Sequence, residues 1–207
     1  MKILAISDEI INHIYSNSIP ERMQDIDLVI SCGDLPSYYL EFIVTMLNKP
    51  LFYVFGNHHK DHIHTESKIK RNHPGGCINL DNKIVEYKGI LIGGLEGSIR
   101  YSDGKHQYTD FEMCWKINKL KPRLYFNKCF KKRYIDILVT HAPPYKIHDG
   151  EDLCHRGFKC FNKFIKKYKP KYLIHGHTHL YGIDNNWLTN IDGTKVINAY
   201  GYRIIEF

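Results

Sequence analysis

The feature that most constrains this chain is a recurring short apolar run that breaks off into a small or polar cluster. Ile3-Leu4-Ala5-Ile6 leads into Ser7-Asp8, Leu28-Val29-Ile30 into Ser31-Cys32-Gly33-Asp34, and residues 51–55 into Gly56-Asn57-His58. The pattern returns with Ile90-Leu91-Ile92 before Gly93-Gly94, residues 135–139 before Thr140-His141, and Tyr172-Leu173-Ile174 before His175-Gly176-His177. Continuous apolar runs of this length suit strands buried on both faces. Helix-like stretches separate several of them, at 38–48, at 110 to about 131 with an interruption expected at Pro122, and at 158–168. Such alternation predicts an α/β layered fold.

Two regions read differently. Ile78-Asn79-Leu80 and Ile84-Val85-Glu86 predict a hairpin across Asp81-Asn82, and the C-terminal stretch predicts a turn at Ile191-Asp192-Gly193-Thr194. Hairpins among buried runs suggest a mixed second sheet. The segment 143–157 reads as a long irregular loop, a type that is often functional in compact domains. With 207 residues and no internal repeat or linker, a single domain spanning 1–207 is expected.

Composition narrows the function classes. No run of apolar residues is long enough to span a bilayer, so no membrane partner is expected. MKILAISD reads as a first strand, not a secretory signal, which leaves the cytoplasm as the default location. The six cysteines are scattered without a C-x-x-C pair, against both a zinc ribbon and a dense disulfide framework. A net charge of +7 favours anionic ligands, with basic residues gathered in 116–133 and 159–171.

Six residues share one address. Asp8, Asp34, Asn57, His141, His177 and His179 each sit just past an apolar run, where open α/β sheets gather ligand-binding loops. Carboxylate, amide oxygen and imidazole make a mixed oxygen–nitrogen set suited to Mn, Fe, Zn, Co or Ni. Six such ligands can serve two divalent ions if one carboxylate bridges, the clamp that stabilises attacking and leaving oxygens in phosphoryl displacement.

The motifs Gly33-Asp34, Gly56-Asn57-His58, Thr140-His141-Ala142-Pro143-Pro144 and Gly176-His177-Thr178-His179, in this order, resemble those of the calcineurin-like metallophosphoesterases. The resemblance runs from Asp8 to His179. It implies a four-layer αββα sandwich of two mixed sheets with two divalent metals, manganese foremost, where the sheets meet. Asp8 and His179 would hold one metal, Asp34 would bridge, and Asn57, His141 and His177 would hold the other. His58 would face the phosphate as charge stabiliser or proton donor, and a metal-bound hydroxide would attack phosphorus in line.

The chain departs from the family's pattern in three places. The first motif is normally D-x-H, but here it reads Asp8-Glu9-Ile10, and Ile10 cannot ligate. Water, Glu9 or His13 would have to complete the first metal's shell, or that first site would stand vacant. An acid often stands three residues after the Gly-Asp carboxylate, where this chain has Ser37. His59 stands where an acid often follows the catalytic His, leaving Asp61 as a substitute. In the loop after His141, Arg156 could fork onto a phosphate while His148 and His155 touch substrate. Gly93 to Ser98 lacks dinucleotide-loop spacing, which leaves Arg100 as a further phosphate-contact candidate.

These readings predict a hydrolase of small phosphate mono- or diesters, such as a nucleotide. The basic charge keeps a nuclease in view, though no interleaved aromatic–basic motif supports it. The losses at Ile10, Ser37 and His59 keep in view a binding scaffold that has lost catalysis.

Overall fold

The computed structural model describes residues 1–58, 73–180 and 186–207. One five-stranded sheet holds β1 (Lys2–Ser7), β2 (Ile26–Ser31), β3 (Leu51–Tyr53), β4 (Cys77–Asn79) and β13 (Gly201–Glu206), ordered β13-β1-β2-β3-β4. Its first four strands run parallel, and β13 closes the edge antiparallel to β1. The six-stranded sheet is ordered β11-β12-β10-β9-β6-β5. It comprises β5 (Ile84–Tyr87), β6 (Ile90–Leu95), β9 (Ile137–Thr140), β10 (Tyr172–His175), β11 (Leu188–Ile191) and β12 (Thr194–Asn198). Here β6, β9, β10 and β12 are parallel, and both edges are antiparallel. A small parallel pair, β7 (Ser98–Ile99) and β8 (Gln107–Tyr108), extends from β6.

Side-chain alternation builds four layers. Ile3, Ala5, Leu28 and Ile30 of the first sheet meet Ile137, Val139, Tyr172 and Ile174 of the second in a shared core. Successive residues of a strand point to opposite faces, so Leu4, Ile6 and Val29 turn outward. There they pack on α1 (Ile19–Arg22) and α2 (Ser37–Leu47) through Ile19, Tyr39, Leu40 and Ile43. On the other side Leu138, Leu173 and Val196 meet α3 (Asp110–Lys131) and α4 (Lys159–Tyr168). The result is the expected αββα sandwich with two mixed sheets. No helix among the described residues is long and apolar enough to cross a membrane.

Two local expectations are corrected. The segments around Asp81-Asn82 do not pair as a hairpin, because β4 joins the first sheet while β5 joins the second. Asp81 is the crossing point between sheets: it accepts the Glu96 N–H at 3.0 Å and pairs with Lys116 at 2.7 Å, which anchors the chain against folding back. The actual hairpin is β5–β6, closed by Lys88 and Gly89, both at positive φ as a tight primed turn requires. The predicted turn at Asp192-Gly193 does close a hairpin, β11–β12.

Nor does Pro122 interrupt α3, which continues through it for 22 residues. A proline removes one helical hydrogen bond and crowds the preceding turn. Pro122 lies on the exposed side, while Ile117, Leu120 and Leu124 are buried against the second sheet and hold the helix together across the defect. At the start of α3, Thr109 Oγ1 accepts the Glu112 N–H at 3.2 Å and Glu112 accepts the Thr109 N–H at 2.7 Å. This reciprocal cap satisfies two otherwise orphaned donors. Thr109→Ala should lower unfolding stability by about 1 kcal/mol, measurable as a reduced midpoint in urea denaturation with unchanged slope.

Candidate metal centre

Parallel strands from both sheets end at one edge, and the candidate ligands follow them. Asp8 comes directly after β1, Asp34 and Asn57 in the loops after β2 and β3, His141 directly after β9, and His177 after β10. Three of these residues, Asp8 (φ 64°), Asp34 (φ 54°) and His177 (φ 68°), occupy the left-handed region. Non-glycine residues there are uncommon and cluster at functional sites.

Glycines permit the convergence. A Cβ on Gly56 would lie 2.0 Å from Asp34 Oδ1, and one on Gly176 would lie 1.9 Å from Ser7 Oγ and 2.4 Å from Asp8 Oδ2. Gly33, at φ 105°, leaves room for the His141 ring. These three residues are the leading glycines of the sequence motifs, and their missing side chains let backbone from different strands touch.

His141 is fully buried and spans the two sheets. Its Nδ1–H donates to the Cys32 carbonyl at 2.8 Å, which turns Nε2 toward Asn57 Oδ1 at 2.9 Å and Asp34 Oδ2 at 3.3 Å. His177 donates its Nε2–H to the Cys154 carbonyl at 2.8 Å, leaving Nδ1 as its free lone pair, and its backbone N–H binds Asp8 Oδ2 at 2.9 Å. Carbonyl-oriented imidazoles with one nitrogen left over are what a metal site requires of histidine. Ligand atoms of Asp34, His141 and His177 lie within 4.8 Å of one another. A coordination shell of ~2.1 Å radius spans ~4.2 Å, so only a small inward shift would let them share an ion. The donor set of one carboxylate, one amide oxygen and two imidazoles fits a borderline divalent metal.

The electrostatics agree. Burial lowers the His141 pKa, but the Asp34 charge and hydrogen bond, with Asp8 behind them, outweigh it and raise it to about 9. Burial works to raise Asp34, yet His141 and the His58 N–H, which donates to Asp34 Oδ1 at 2.8 Å, hold its carboxyl below the usual range. For His177, burial and the neighbouring His141 lower the pKa to about 3. Asp8 is raised, chiefly by burial. The centre therefore favours a positive charge among these ligands, carried by a proton or by a metal ion.

The other half of the expected set is not drawn together in the same way. Asp8 joins the centre through the His177 N–H, but His179 is exposed and stacks on Tyr200 with ring centroids 4.7 Å apart. Ile10 packs against the outer core of the first sheet. Glu9 is exposed, and His13 is held by Arg22 at 3.0 Å on the surface. His58 is exposed, and its backbone N–H reaches Asp34 Oδ1 at 2.8 Å. Ser37 is buried at the start of α2; His59 and Asp61 lie outside the described residues.

The candidate substrate contacts divide. His155 stacks on His177 at 5.3 Å and pairs with Asp152 at 2.8 Å, so its loop walls the centre. Arg156 on the same loop is exposed. Arg100 instead pairs with Glu112 of α3 at 2.9 Å. His148 is turned inward: it donates from Nδ1 to His175 Nε2 at 2.9 Å and accepts from Thr189 at 2.8 Å. His175 passes the chain on, donating from Nδ1 to the Gly176 carbonyl at 2.9 Å. Burial lowers His148 to about 4 and His175 to about 3, so both rings are neutral and this chain of bonds orders the His177 loop.

Sequence reasoning missed three contributors. Tyr101 receives a hydrogen bond from Asn57 Nδ2 at 3.0 Å, which aims Asn57 Oδ1 at the centre. The Cys32 and Cys154 carbonyls orient the two imidazoles. A backbone carbonyl carries no residue signature, and Tyr101 was signalled only by its place beside the Gly93–Arg100 stretch.

No curated protein matches the chain in sequence. A crystal structure covering 100% of this chain and 98% of its own superposes with TM-score 0.64 at 14% identity. TT1561 of Thermus thermophilus gives 0.57 at 15% identity, covering 97% of this chain and 89% of its own. A hypothetical protein from the same organism gives 0.53 at 16%, covering 96% and 75%. These likenesses show the shared fold. The model of the calcineurin-like phosphoesterases matches residues 1–181. By that match and by the fold, the chain belongs to the calcineurin-like phosphoesterase family, whose membership implies metal-dependent hydrolysis of phosphoesters.

Proposed function

We propose that this protein hydrolyses small phosphate mono- or diesters, such as nucleotides, at a centre for two divalent ions of unequal affinity. The observation that carries the reading is the convergence of His141 Nε2, Asn57 Oδ1 and Asp34 Oδ2, with the far nitrogen of His141 already committed to a carbonyl. Asp34, Asn57, His141 and His177 would hold the tighter ion, and Asp8, Asp34 and His179 the weaker one. Mixed oxygen and nitrogen donors make manganese the leading choice among Mn, Fe, Zn, Ni and Co. When bound, such ions polarise the phosphoryl oxygens and lower the pKa of water toward ~7, so that it can act as nucleophile.

The protein's own groups supply position. The His58 N–H and the His141 ring fix both oxygens of Asp34. Tyr101 fixes Asn57, and His58, exposed and bonded through its backbone N–H to Asp34, is the residue this reading turns toward the ester. In this reading His58 stabilises the phosphate charge and hands a proton to the departing oxygen. His155 and Arg156 border the entrance.

One observation favours a second reading, a scaffold with weak or no catalysis: Ile10, at the position of the family's first-motif histidine, is partly buried against the outer core of the first sheet. Metal content and turnover of aryl phosphate mono- and diesters, measured with added Mn²⁺, Ni²⁺ or Zn²⁺, separate the two. Turnover with at least one metal supports the hydrolase; none with any metal, alongside one bound ion or fewer, supports the scaffold. Degradation of DNA or RNA in preference to small esters would instead favour a nuclease.

Two substitutions sharpen the reading. His58→Ala should lower kcat by ~10²–10⁴-fold, the usual worth of a positioned acid, while metal content measured by atomic absorption stays the same. Ile10→His should tighten the weaker ion, seen by calorimetry as a second binding event at lower free metal; an unchanged titration would mean that another group already completes that shell.

A further inference from the structure

Helix α3 is apolar on two opposite sides. Met113, Ile117, Leu120 and Leu124 are buried toward the second sheet, as the fold requires. On the other side Phe111 and Phe130 are each 72% exposed, Trp115 57% and Phe126 46%. Phe111 and Trp115 are one turn apart, as are Phe126 and Phe130, and about three turns separate the pairs. At 1.5 Å per residue they form a ridge ~28 Å long. Scattered surface hydrophobics need no explanation, but aligned aromatics on one helix face mark an interaction surface.

The charge beside the ridge is predominantly basic, with Asp110 and Glu112 beside Phe111 as the acids at its N-terminal end. Of the chain's 29 lysines and arginines, eight fall within residues 113–135 and seven within 153–180, and neither stretch contains an acid. Along α4, Lys159, Lys163, Lys166 and Lys167 are exposed. A cleft of about 170 Å³ between the helices has Lys121, Lys163 and Lys167 around a floor that includes Ile117 and Phe164. Another of about 200 Å³, at the C-terminal ends of both helices, has Lys128, Lys132, Lys167 and Lys169 on its walls.

We propose that this face of α3 and α4 docks on an anionic lipid bilayer, with the aromatic ridge sunk among the headgroups and the flanking lysines on lipid phosphates. Aromatics along one line with lysines on both shoulders are the pattern of a helix lying in a membrane interface. Its polarity rules out spanning and suits lying flat. A second copy of the chain is disfavoured as occupant, because two faces so rich in lysine and arginine would repel. A nucleic acid would match the charge, but base stacking uses aromatics set within a groove that tracks the backbone, whereas this ridge is a convex crest carrying three phenylalanines. Docking through the outer helical layer leaves the strand-end edge, with its metal centre, open at the side.

Sedimentation of the full chain with vesicles tests this. The Trp187→Phe variant leaves Trp115 as the only tryptophan and serves as the fluorescent reporter. The protein should pellet with phosphatidylcholine vesicles containing one-third phosphatidylserine and not with phosphatidylcholine alone. Trp115 emission should shift to the blue, and raised salt should release the protein. Lys163→Ala and Lys167→Ala should each weaken binding about five-fold. The pair Phe126→Ser and Phe130→Ser should abolish the pelleting while circular dichroism stays native. Equal binding to neutral vesicles, no binding to anionic ones, or tighter binding to a single-stranded or duplex oligonucleotide would overturn the proposal. So would sedimentation equilibrium showing a dimer that the phenylalanine substitutions dissociate.

Discussion

Everything at the candidate centre depends on one buried imidazole that belongs to the second sheet and makes its bonds to the first. His141 follows β9, yet its hydrogen bonds go to Cys32, Asn57 and Asp34 in the loops after β2 and β3. Around it the loops are tied within each sheet, Asp8 N–H to the Gly33 carbonyl and Gly176 N–H to the His141 carbonyl, and across the seam by the His177 N–H on the Asp8 carboxylate and the Gly97 N–H on the Phe55 carbonyl. A fully buried imidazole between acceptors is costly unless a positive charge satisfies them. The seam and the metal preference are thus two consequences of the same packing.

That constraint explains the asymmetry of the site. The half centred on Asp34, Asn57, His141 and His177 is held from both sheets, with each imidazole aimed by a carbonyl. The half that would use Asp8 and His179 has one member inside the seam and one outside it. Ile10 contributes to the outer core of the first sheet, where an imidazole would cost packing. An alkyl side chain at this position therefore packs against the core without disturbing the half built on His141.

The outer layer on the far sheet shows a second division of labour within one helix. The inner side of α3 completes the core, and a reciprocal cap at Thr109 and burial around Pro122 keep 22 residues helical. Its outer side contributes nothing to that core and carries the aromatic ridge. Because apolar residues occupy both sides, the helix lacks the single apolar stripe that makes an amphipathic helix conspicuous in a sequence. The interleaving of aromatic and basic residues emerges only when the buried positions are subtracted.

The sequence by itself determined the strand–loop alternation and the layered class, because buried strands must be apolar, and it singled out Asp34, Asn57, His141 and His177, which the structure draws together. It also placed Ile10, an alkyl side chain that cannot coordinate, where the resembling family's first motif has a histidine. Tertiary structure alone decided the rest. It sent β4 and β5 to different sheets, because Asp81 found Lys116 and the Glu96 N–H, partners remote in sequence. It carried α3 through Pro122, turned His148 inward onto His175 and tied Arg100 to Glu112. Each of these outcomes depends on contacts between distant segments, which local propensity and spacing do not encode.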